Sequence, residues 1–182
     1  MRCWLITSTT YGTWLPGDHR GFVSTITDAD GTRVIHNVPG TQYDANMPAL
    51  EGSSRRRLKC PPIRLHLEHA EALLAQFRET IAYRHWRLLA VAIMSNHFHA
   101  VVSAADATEP EQVLKDLKSY GSRALSRRWG QPKSETWWTT SGSKRWLNDE
   151  AAVVAAVRYV ENQPFPLVVW IDPEFRRTGE DD

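Results

Sequence analysis

The alternation of apolar and polar positions along this chain predicts several short strands. Runs of apolar or β-branched residues at 3–10, 86–93 and 97–104 are typical of strands, and the last two are separated by a tight turn. The segments 136–140 and 145–147 have a weaker pattern that favours a strand or a β-hairpin. The chain therefore carries enough strand-forming sequence for a small sheet.

Three other segments have the period of a helix. Apolar residues recur at helical spacing over 65–83 and over 111–129, where Pro110 suits the first turn. A last helix is predicted over 151–163, capped by Asn148 or Asp149 and ended by the proline that follows. The helices alternate with the strands in a way that favours layers of helix on sheet.

A polar segment at about 11–62 separates the first strand from the first helix. It contains the turn-forming stretches GTWLPGD, DADG and NVPG, which predict a long irregular insertion with room for a short β-hairpin at 32–37. The resulting order predicts an α+β fold: a ferredoxin-like antiparallel sheet with helices on one face, an extra C-terminal helix and this long N-terminal insertion. We expect one domain over 1–171 and an acidic tail over 172–182.

Charge is distributed unevenly, although the net charge is only +1. Residues 51–64 contain five basic residues and one acid, and residues 112–149 contain eight basic residues and three acids. Such patches are compatible with phosphate binding, but a solvated charged surface is equally common. Charge alone therefore does not show whether these patches bind phosphate. The candidates for DNA contacts are Arg55, Arg56, Arg57 and Lys59 in the insertion and Lys118, Arg123, Arg127 and Arg128 on the second long helix.

Little in the sequence suggests a membrane or an oxidising compartment. We find no apolar run long enough to span a bilayer and no signal-peptide pattern at the N-terminus. The two cysteines, Cys3 and Cys60, form neither a disulfide framework nor a zinc pattern. We therefore expect a cytoplasmic protein without a membrane partner.

Two histidines provide the clearest candidate chemistry. His97 and His99 flank Phe98 on a predicted strand, and alternate residues of a strand point to the same face. Two imidazoles held side by side can chelate one divalent cation, although many such pairs serve only packing. On a central strand, two unpaired imidazoles would be costly to bury, which favours the metal site.

The last predicted helix offers a nucleophile and an oxygen ligand on one face. Tyr159 and Gln163 are four residues apart and therefore neighbours on the helix surface. The small residues upstream on that face would let the helix lie close to the sheet; they are Ala152, Ala155 and Ala156. The alternative is structural: Tyr159 would pack at the edge of the core and Gln163 would cap the helix end.

These segments together resemble the IS200-like and REP-associated tyrosine transposases, which are HUH enzymes. MSNHFHAVV is similar to their histidine motif, YVENQP to their nucleophile helix, and GTWLPGD to a segment of the REP-associated branch. The sequence departs from these relatives at Ser95, where proline is usual, at Gln163, where the REP-associated branch has asparagine, and in FPLVVW after the helix.

The resemblance implies a complete active site. His97, His99 and Gln163 would bind Mg²⁺ or Mn²⁺, and Tyr159 would be the nucleophile. The expected activity is cleavage and rejoining of single-stranded or hairpin DNA through a 5′-phosphotyrosine intermediate, by a monomer or a homodimer.

Several alternatives stay open at this point. Another HUH endonuclease, such as a replication initiator or relaxase, would share the chemistry, and a domesticated protein could bind hairpin DNA without transposing. A ferredoxin-like RNA-binding module should carry exposed aromatic residues on its central strands instead of the histidines. Tyr120 is a rival nucleophile, but Ala124, four residues later, offers no ligand. Hydrolases with three alternating histidines are disfavoured by Val101.

Overall fold

The structure, a computed structural model, describes residues 1–20, 24–27, 33–36 and 46–178. The strands are β1 (Arg2–Thr9), β2 (Ser24–Thr27), β3 (Arg33–His36), β4 (Arg87–Ile93), β5 (His97–Ala104), β6 (Ser143–Leu147) and β7 (Val168–Ile171). The helices are α1 (Pro48–Arg56), α2 (Leu67–Tyr83), α3 (Pro110–Trp129), α4 (Glu150–Glu161) and α5 (Pro173–Thr178). Over these ranges, no helix is both long and apolar enough to cross a membrane.

A five-stranded antiparallel sheet forms the centre of the fold. Its strand order is β6-β1-β5-β4-β7, and every neighbouring pair runs antiparallel. The succession β1-α2-β4-β5-α3-β6 is the β-α-β-β-α-β arrangement of a ferredoxin-like domain. The predicted α+β class and ferredoxin-like sheet are therefore confirmed, with β7 added at the β4 edge.

Helices cover both faces of the sheet. Phe98, Ala100 and Val102 of β5 point toward α2 and α3 and belong to the larger core, where Phe98 meets Phe77 edge to face at 4.9 Å. Val101 points to the other face and packs in a second core with α4. The two predicted central helices thus share one face, and the extra C-terminal helix lies on the opposite face.

The predicted irregular insertion contains regular structure. β2 and β3 pair as a β-hairpin, which is longer than the one expected at 32–37. Helix α1 follows, with Pro48 in its first turn and an ion pair of 2.6 Å between Arg55 and Glu51. The loop before it is joined to the domain through a hydrogen bond from Met47 N to Gly17 O. The DADG and NVPG stretches lie outside the described residues.

The chain after α4 returns to the sheet. β7 pairs with β4, placing Trp170 opposite Val91, and this pairing accounts for the apolar FPLVVW stretch. The segment expected to be an acidic tail begins as helix α5, because Phe175 packs on the core beside α4 and Asp172 accepts a 2.7 Å bond from Arg87. Residues 179–182, which carry three of the five acids of that tail, lie outside the described residues.

Candidate active site

The two histidines of β5 point to the same side of the sheet. His97 and His99 have ring centroids 4.9 Å apart, with their planes nearly perpendicular. Phe98, between them, is fully buried in the core on the opposite side. The expectation from strand alternation is confirmed, and the pair faces the side that α4 covers.

A hydrogen bond at Nδ1 orients each imidazole. Nδ1 of His97 lies 2.7 Å from Oδ1 of Asn96, an acceptor, so this nitrogen carries the proton. Nδ1 of His99 lies 2.6 Å from Oγ1 of Thr7, which stands directly across from it on β1. Donation from Nδ1 leaves the lone pair of His97 on Nε2, and the same holds for His99 when the Thr7 hydroxyl accepts; this is the arrangement of many histidine metal ligands.

Both imidazoles are neutral near pH 7. Burial, and to a smaller extent the charge of Arg20, together lower the pKa of His97 to about 4. Burial also lowers the pKa of His99 to about 4, together with the nearby His97. A neutral imidazole has a free lone pair, so the pair is held in the protonation state that binds metal.

Helix α4 carries Tyr159 to the histidines. The helix begins at a cap in which Oδ1 of Asp149 accepts a 2.7 Å bond from Ala152 N. Val157 and Val160 are buried against the sheet, and Tyr159 between them is 49 % exposed. Its hydroxyl lies 3.4 Å from Nε2 of His99, which is long for a hydrogen bond but within reach of a shared ligand.

Gln163 lies one turn beyond the tyrosine, at the end of the helix. Its Nε2 donates a 3.0 Å hydrogen bond to the carbonyl oxygen of Tyr159, as the helix-capping interpretation expected. Among the described residues, its amide makes no hydrogen bond to either imidazole. A role for Gln163 as a metal ligand, through its amide oxygen, stays a prediction.

The donor set at the histidines fits a divalent cation with mixed ligands. In the described part of the chain, no group of three His, Cys, Asp or Glu side chains is arranged to hold a metal. A cation bound by the two Nε2 atoms would therefore take its remaining ligands as oxygen atoms from an amide, a phosphate or water. Such a set of nitrogen and oxygen donors suits Mg²⁺ or Mn²⁺, with imidazole favouring Mn²⁺.

A cavity of about 400 Å³ opens beside the tyrosine, between α4 and the sheet. Five polar side chains line it: Thr7, His99, Ser143, Arg145 and Tyr159. Three alanines of α4 form the facing wall: Ala152, Ala155 and Ala156. Their small side chains, noted in the sequence as permitting close helix packing, leave this space open above the sheet.

The GTWLPGD segment supports the turn before His97. Oγ1 of Thr13 and Oγ1 of Thr10 each donate to the carbonyl of Asn96, at 3.1 Å in both cases. Gly17 has a φ of +92°, and a Cβ there would lie 2.5 Å from Glu51 N, so the backbones of this loop and α1 touch. The segment therefore fixes Asn96, which in turn orients His97.

Sequence reasoning missed the supporting residues Thr7 and Asn96. Thr7 contacts His99 only because β1 and β5 are neighbours in register, and that pairing joins residues 92 positions apart. Asn96 lies in the tight turn between the strands at 86–93 and 97–104, and no sequence pattern links it to His97. A polar residue in the first strand, opposite a histidine of the motif strand, is the signal that could have identified Thr7.

The rival nucleophile Tyr120 lies away from the histidines. It is on α3, whose buried residues Leu117 and Leu125 pack in the core on the other side of the sheet. Its ring is covered by Arg123, with the guanidinium carbon 5.1 Å from the ring centroid. The structure brings Tyr159 to the histidine pair and leaves Tyr120 on the opposite layer.

The basic residues of the insertion are exposed at the end of α1. Arg55, Arg56 and Arg57 point to solvent, and Arg55 pairs with Glu51 in its own helix. Lys59 forms an ion pair with Glu135 of the loop after α3. Contacts of these residues with DNA stay a prediction.

The basic residues of α3 divide into two groups. Arg123, Arg127 and Arg128 are exposed, and Arg128 lies over the ring of Trp129 at 4.8 Å. Lys118 is instead half-buried, and its ammonium donates to three carbonyls, those of Thr139, Thr140 and Ser141. Its three donors are used within the protein, so it holds the loop before β6, whereas the arginines are available to a ligand.

Two solved structures are similar to this chain at low sequence identity. A REP-associated tyrosine transposase bound to a REP hairpin aligns with a TM-score of 0.49 and 9% identity, over 87% of this chain and 64% of that one. The chain thus spans less than two thirds of that protein. A proposed transposase from Deinococcus radiodurans R1 aligns with a TM-score of 0.45 and 15% identity, over 91% and 93% of the two chains.

The family is identified by sequence. No curated protein matches the chain. The family model described as "Transposase IS200 like" matches residues 62–163, more than half of the 182 residues. The matched range runs from just before α2 to the glutamine at the end of α4, so it includes both histidines and Tyr159. The chain therefore belongs to the IS200-like transposase family.

Proposed function

We propose that this protein is a transposase that cleaves and rejoins single-stranded DNA next to a DNA hairpin, using Tyr159 as nucleophile and a divalent cation. One observation carries the proposal: the Tyr159 hydroxyl lies 3.4 Å from Nε2 of His99, with His97 beside it. A nucleophile, two neutral imidazoles and an adjoining cavity are the parts that phosphodiester cleavage by a tyrosine requires. Membership of the family supports the same reaction.

The histidines would hold the cation, and Gln163 would complete the protein ligands through its amide oxygen. Mg²⁺ or Mn²⁺ bound there would supply a Lewis acid that polarises the phosphate. The protein's own contribution is orientation, because the bonds to Thr7 and Asn96 fix both rings before DNA arrives. Preorganised ligands need no rearrangement at the moment of reaction.

In the cleavage step, the Tyr159 oxygen attacks the phosphorus and the bond to the 3′ oxygen breaks. The tyrosine gives up its proton, the departing 3′ oxygen gains one, and the products are a 5′-phosphotyrosine and a free 3′-OH. The new ester is still a phosphodiester. A second 3′-OH can therefore attack it, release the Tyr159 hydroxyl and join two DNA ends without ATP.

The coverage of the sheet argues against a ferredoxin-like RNA-binding module. Such modules stack bases on aromatic residues exposed on the sheet surface. Here α2 and α3 cover one face, and α4 covers the face that carries the histidines. Phe98, the aromatic residue of the motif strand, is buried under the first two helices.

A covalent-adduct assay tests the proposal. The protein is incubated with Mn²⁺ and a labelled DNA hairpin that has a single-stranded flank, and denaturing gels are examined for protein-linked DNA. We expect an adduct that requires the metal and disappears when EDTA is present from the start. A blunt duplex of equal length is the control substrate.

Tight binding of the DNA hairpin without any adduct, across a panel of flank sequences, would contradict the proposal. That outcome would indicate a domesticated hairpin-binding protein instead. Cleavage without joining to a second 3′-OH would point to another HUH endonuclease, such as a replication initiator or relaxase.

A further inference from the structure

Arg145 lies in the wall of the cavity that holds the proposed nucleophile. It stands on β6 opposite Leu5 of β1, on the side of the sheet that faces α4. Its side chain lines the same cavity as His99 and Tyr159. The cavity wall thus combines a permanent positive charge, a hydroxyl nucleophile and an imidazole.

Strand alternation separates Arg145 from its basic neighbour. Lys144 points to the other side of the sheet, where its ammonium pairs with Glu111 at 3.0 Å. Arg145 forms no ion pair within the described part of the chain. Its guanidinium is therefore available to a ligand, whereas the charge of Lys144 is already matched.

The composition of the cavity favours an anion. No acidic side chain is among its lining residues, and Thr7 and Ser143 contribute hydroxyl groups to the same lining. The volume of about 400 Å³ lies within the range of small-ligand sites. The alanine wall contributed by α4 is apolar, which suits contact with a sugar or a base.

We propose that Arg145 binds the phosphate that Tyr159 attacks, and that the cavity receives the unpaired nucleotide attached to it. This inference rests on the proposed function. A guanidinium can donate two parallel hydrogen bonds to the non-bridging oxygens of a phosphate. It would stabilise the negative charge that grows on those oxygens during attack, and it would hold the phosphorus in front of the tyrosine.

The role proposed for Arg145 predicts different measurements from those expected of a residue that only attracts DNA. An arginine that contacts the transferring phosphate should affect the rate of adduct formation at saturating DNA more than the affinity for the DNA hairpin. An arginine that contacts the backbone elsewhere should weaken affinity and leave that rate unchanged. A residue needed only for folding should lower the thermal unfolding midpoint.

The test compares single-turnover adduct formation by wild type, Arg145→Gln, Arg145→Lys and the control Arg158→Gln. Arg158 has the same charge, is exposed on α4 beside Tyr159, and does not line the cavity. We expect Arg145→Gln to lower the saturating rate roughly 10²-fold, as loss of one transition-state donor does. Arg145→Lys should recover part of the rate, and Arg158→Gln should retain all of it.

Hairpin affinity and the unfolding midpoint are measured on the same preparations. A saturating rate for Arg145→Gln equal to that of Arg158→Gln would overturn the inference and leave the proposed function intact. If Arg145→Gln is destabilised, Arg145→Lys decides, because a full rate in that variant would exclude a role for the two-pronged guanidinium. Absence of an adduct with the wild-type protein would remove both proposals.

Discussion

The hydroxyl of Tyr159 lies 3.4 Å from Nε2 of His99, although the two residues are 60 positions apart. Two packing features produce this approach. His99 is held on β5 by its bond to Thr7, and α4 is held on the sheet by the buried residues Val157 and Val160. The fold of a single chain therefore brings the two side chains together. Substitutions that each remove one hydroxyl group can test what this approach contributes.

Replacing Tyr159 with phenylalanine should abolish the covalent adduct and leave binding of the DNA hairpin nearly unchanged. The substitution removes the attacking oxygen and little surface. Tyr120→Phe is the matched control, since its ring lies on α3 in the other layer, and it should keep full adduct formation. Denaturing gels and fluorescence anisotropy report the two quantities. Adduct formation by Tyr159→Phe would mean that another residue is the nucleophile.

Metal binding should be visible without DNA. A ligand at one hundred times its dissociation constant stabilises the folded state by about 2.7 kcal/mol, which for a protein of this size is a rise of roughly 5–10 °C in the unfolding midpoint. We expect Mn²⁺ to raise the midpoint of the wild type and not of His97→Ala or His99→Ala. His85→Asn, which changes an exposed histidine, should respond like the wild type. An equal rise in all four proteins would place the metal elsewhere.

Thr7 should increase the affinity for metal by orienting the imidazole of His99. Thr7→Val keeps the shape of the side chain but removes the oxygen that lies 2.6 Å from Nδ1 of the imidazole. Loss of such a supporting hydrogen bond usually weakens metal binding about 10- to 100-fold. Thr9→Val is the control, because the Thr9 hydroxyl bonds to Thr139 and not to an imidazole. Calorimetric titration with Mn²⁺ measures both, and equal affinities would show that Thr7 does not orient His99.

The fold and the positions of the two histidines and Tyr159 follow from local patterns, which explains why they could be predicted. Alternation along a strand placed His97 and His99 on one face, and helical spacing placed Tyr159 beside the alanines. The support of the site depends on contacts between distant segments. Thr7 reaches His99 only through the pairing of β1 with β5, and the cavity position of Arg145 depends on β6 lying next to β1.

The basic residues also depend on contacts between distant segments, which the sequence pattern does not reveal. Lys118 looked equivalent to its arginine neighbours on the helix surface. Its function depends on the carbonyls of Thr139, Thr140 and Ser141, about twenty residues away, which no local pattern reveals. A helical period identifies the face on which a lysine lies, but it does not identify what that face meets.

Gly121 illustrates how tertiary packing reverses a local preference. Glycine is a poor helix former, and alanine at this position of α3 would favour the helix by about 1 kcal/mol. In the fold, a Cβ at this position would lie 2.9 Å from Cδ2 of Leu73 and 3.2 Å from Phe77, where α2 and α3 touch. Overpacking of this kind costs about 1–3 kcal/mol, so we expect Gly121→Ala to destabilise the protein.

Urea unfolding checks this prediction against a second glycine. A Cβ at Gly52 of α1 meets only the end of the Arg56 side chain at 3.6 Å, so Gly52→Ala should be neutral or stabilising. Greater stability of Gly121→Ala than of the wild type would contradict this prediction. It would show that α2 and α3 can move apart without loss of stability.

The exposed arginines should contribute to DNA binding through phosphate contacts. Two triple variants to alanine test this, one at Arg55, Arg56 and Arg57 and one at Arg123, Arg127 and Arg128. Each lost contact should lower the slope of log affinity against log salt by about 0.7 on a single strand and about 0.9 on a duplex stem. The loss should be similar for matched and scrambled hairpins, because phosphate contacts position DNA without reading its sequence.

Lys118→Gln should behave differently from both triple variants. Its ammonium is committed to three carbonyls of its own chain, so its replacement should lower the unfolding midpoint and leave the salt slope unchanged. Arg55 also pairs with Glu51, so the α1 variant should change the slope less than the α3 variant does. A slope that changes with Lys118 and with neither arginine group would reverse this assignment and place the DNA backbone against the loop before β6.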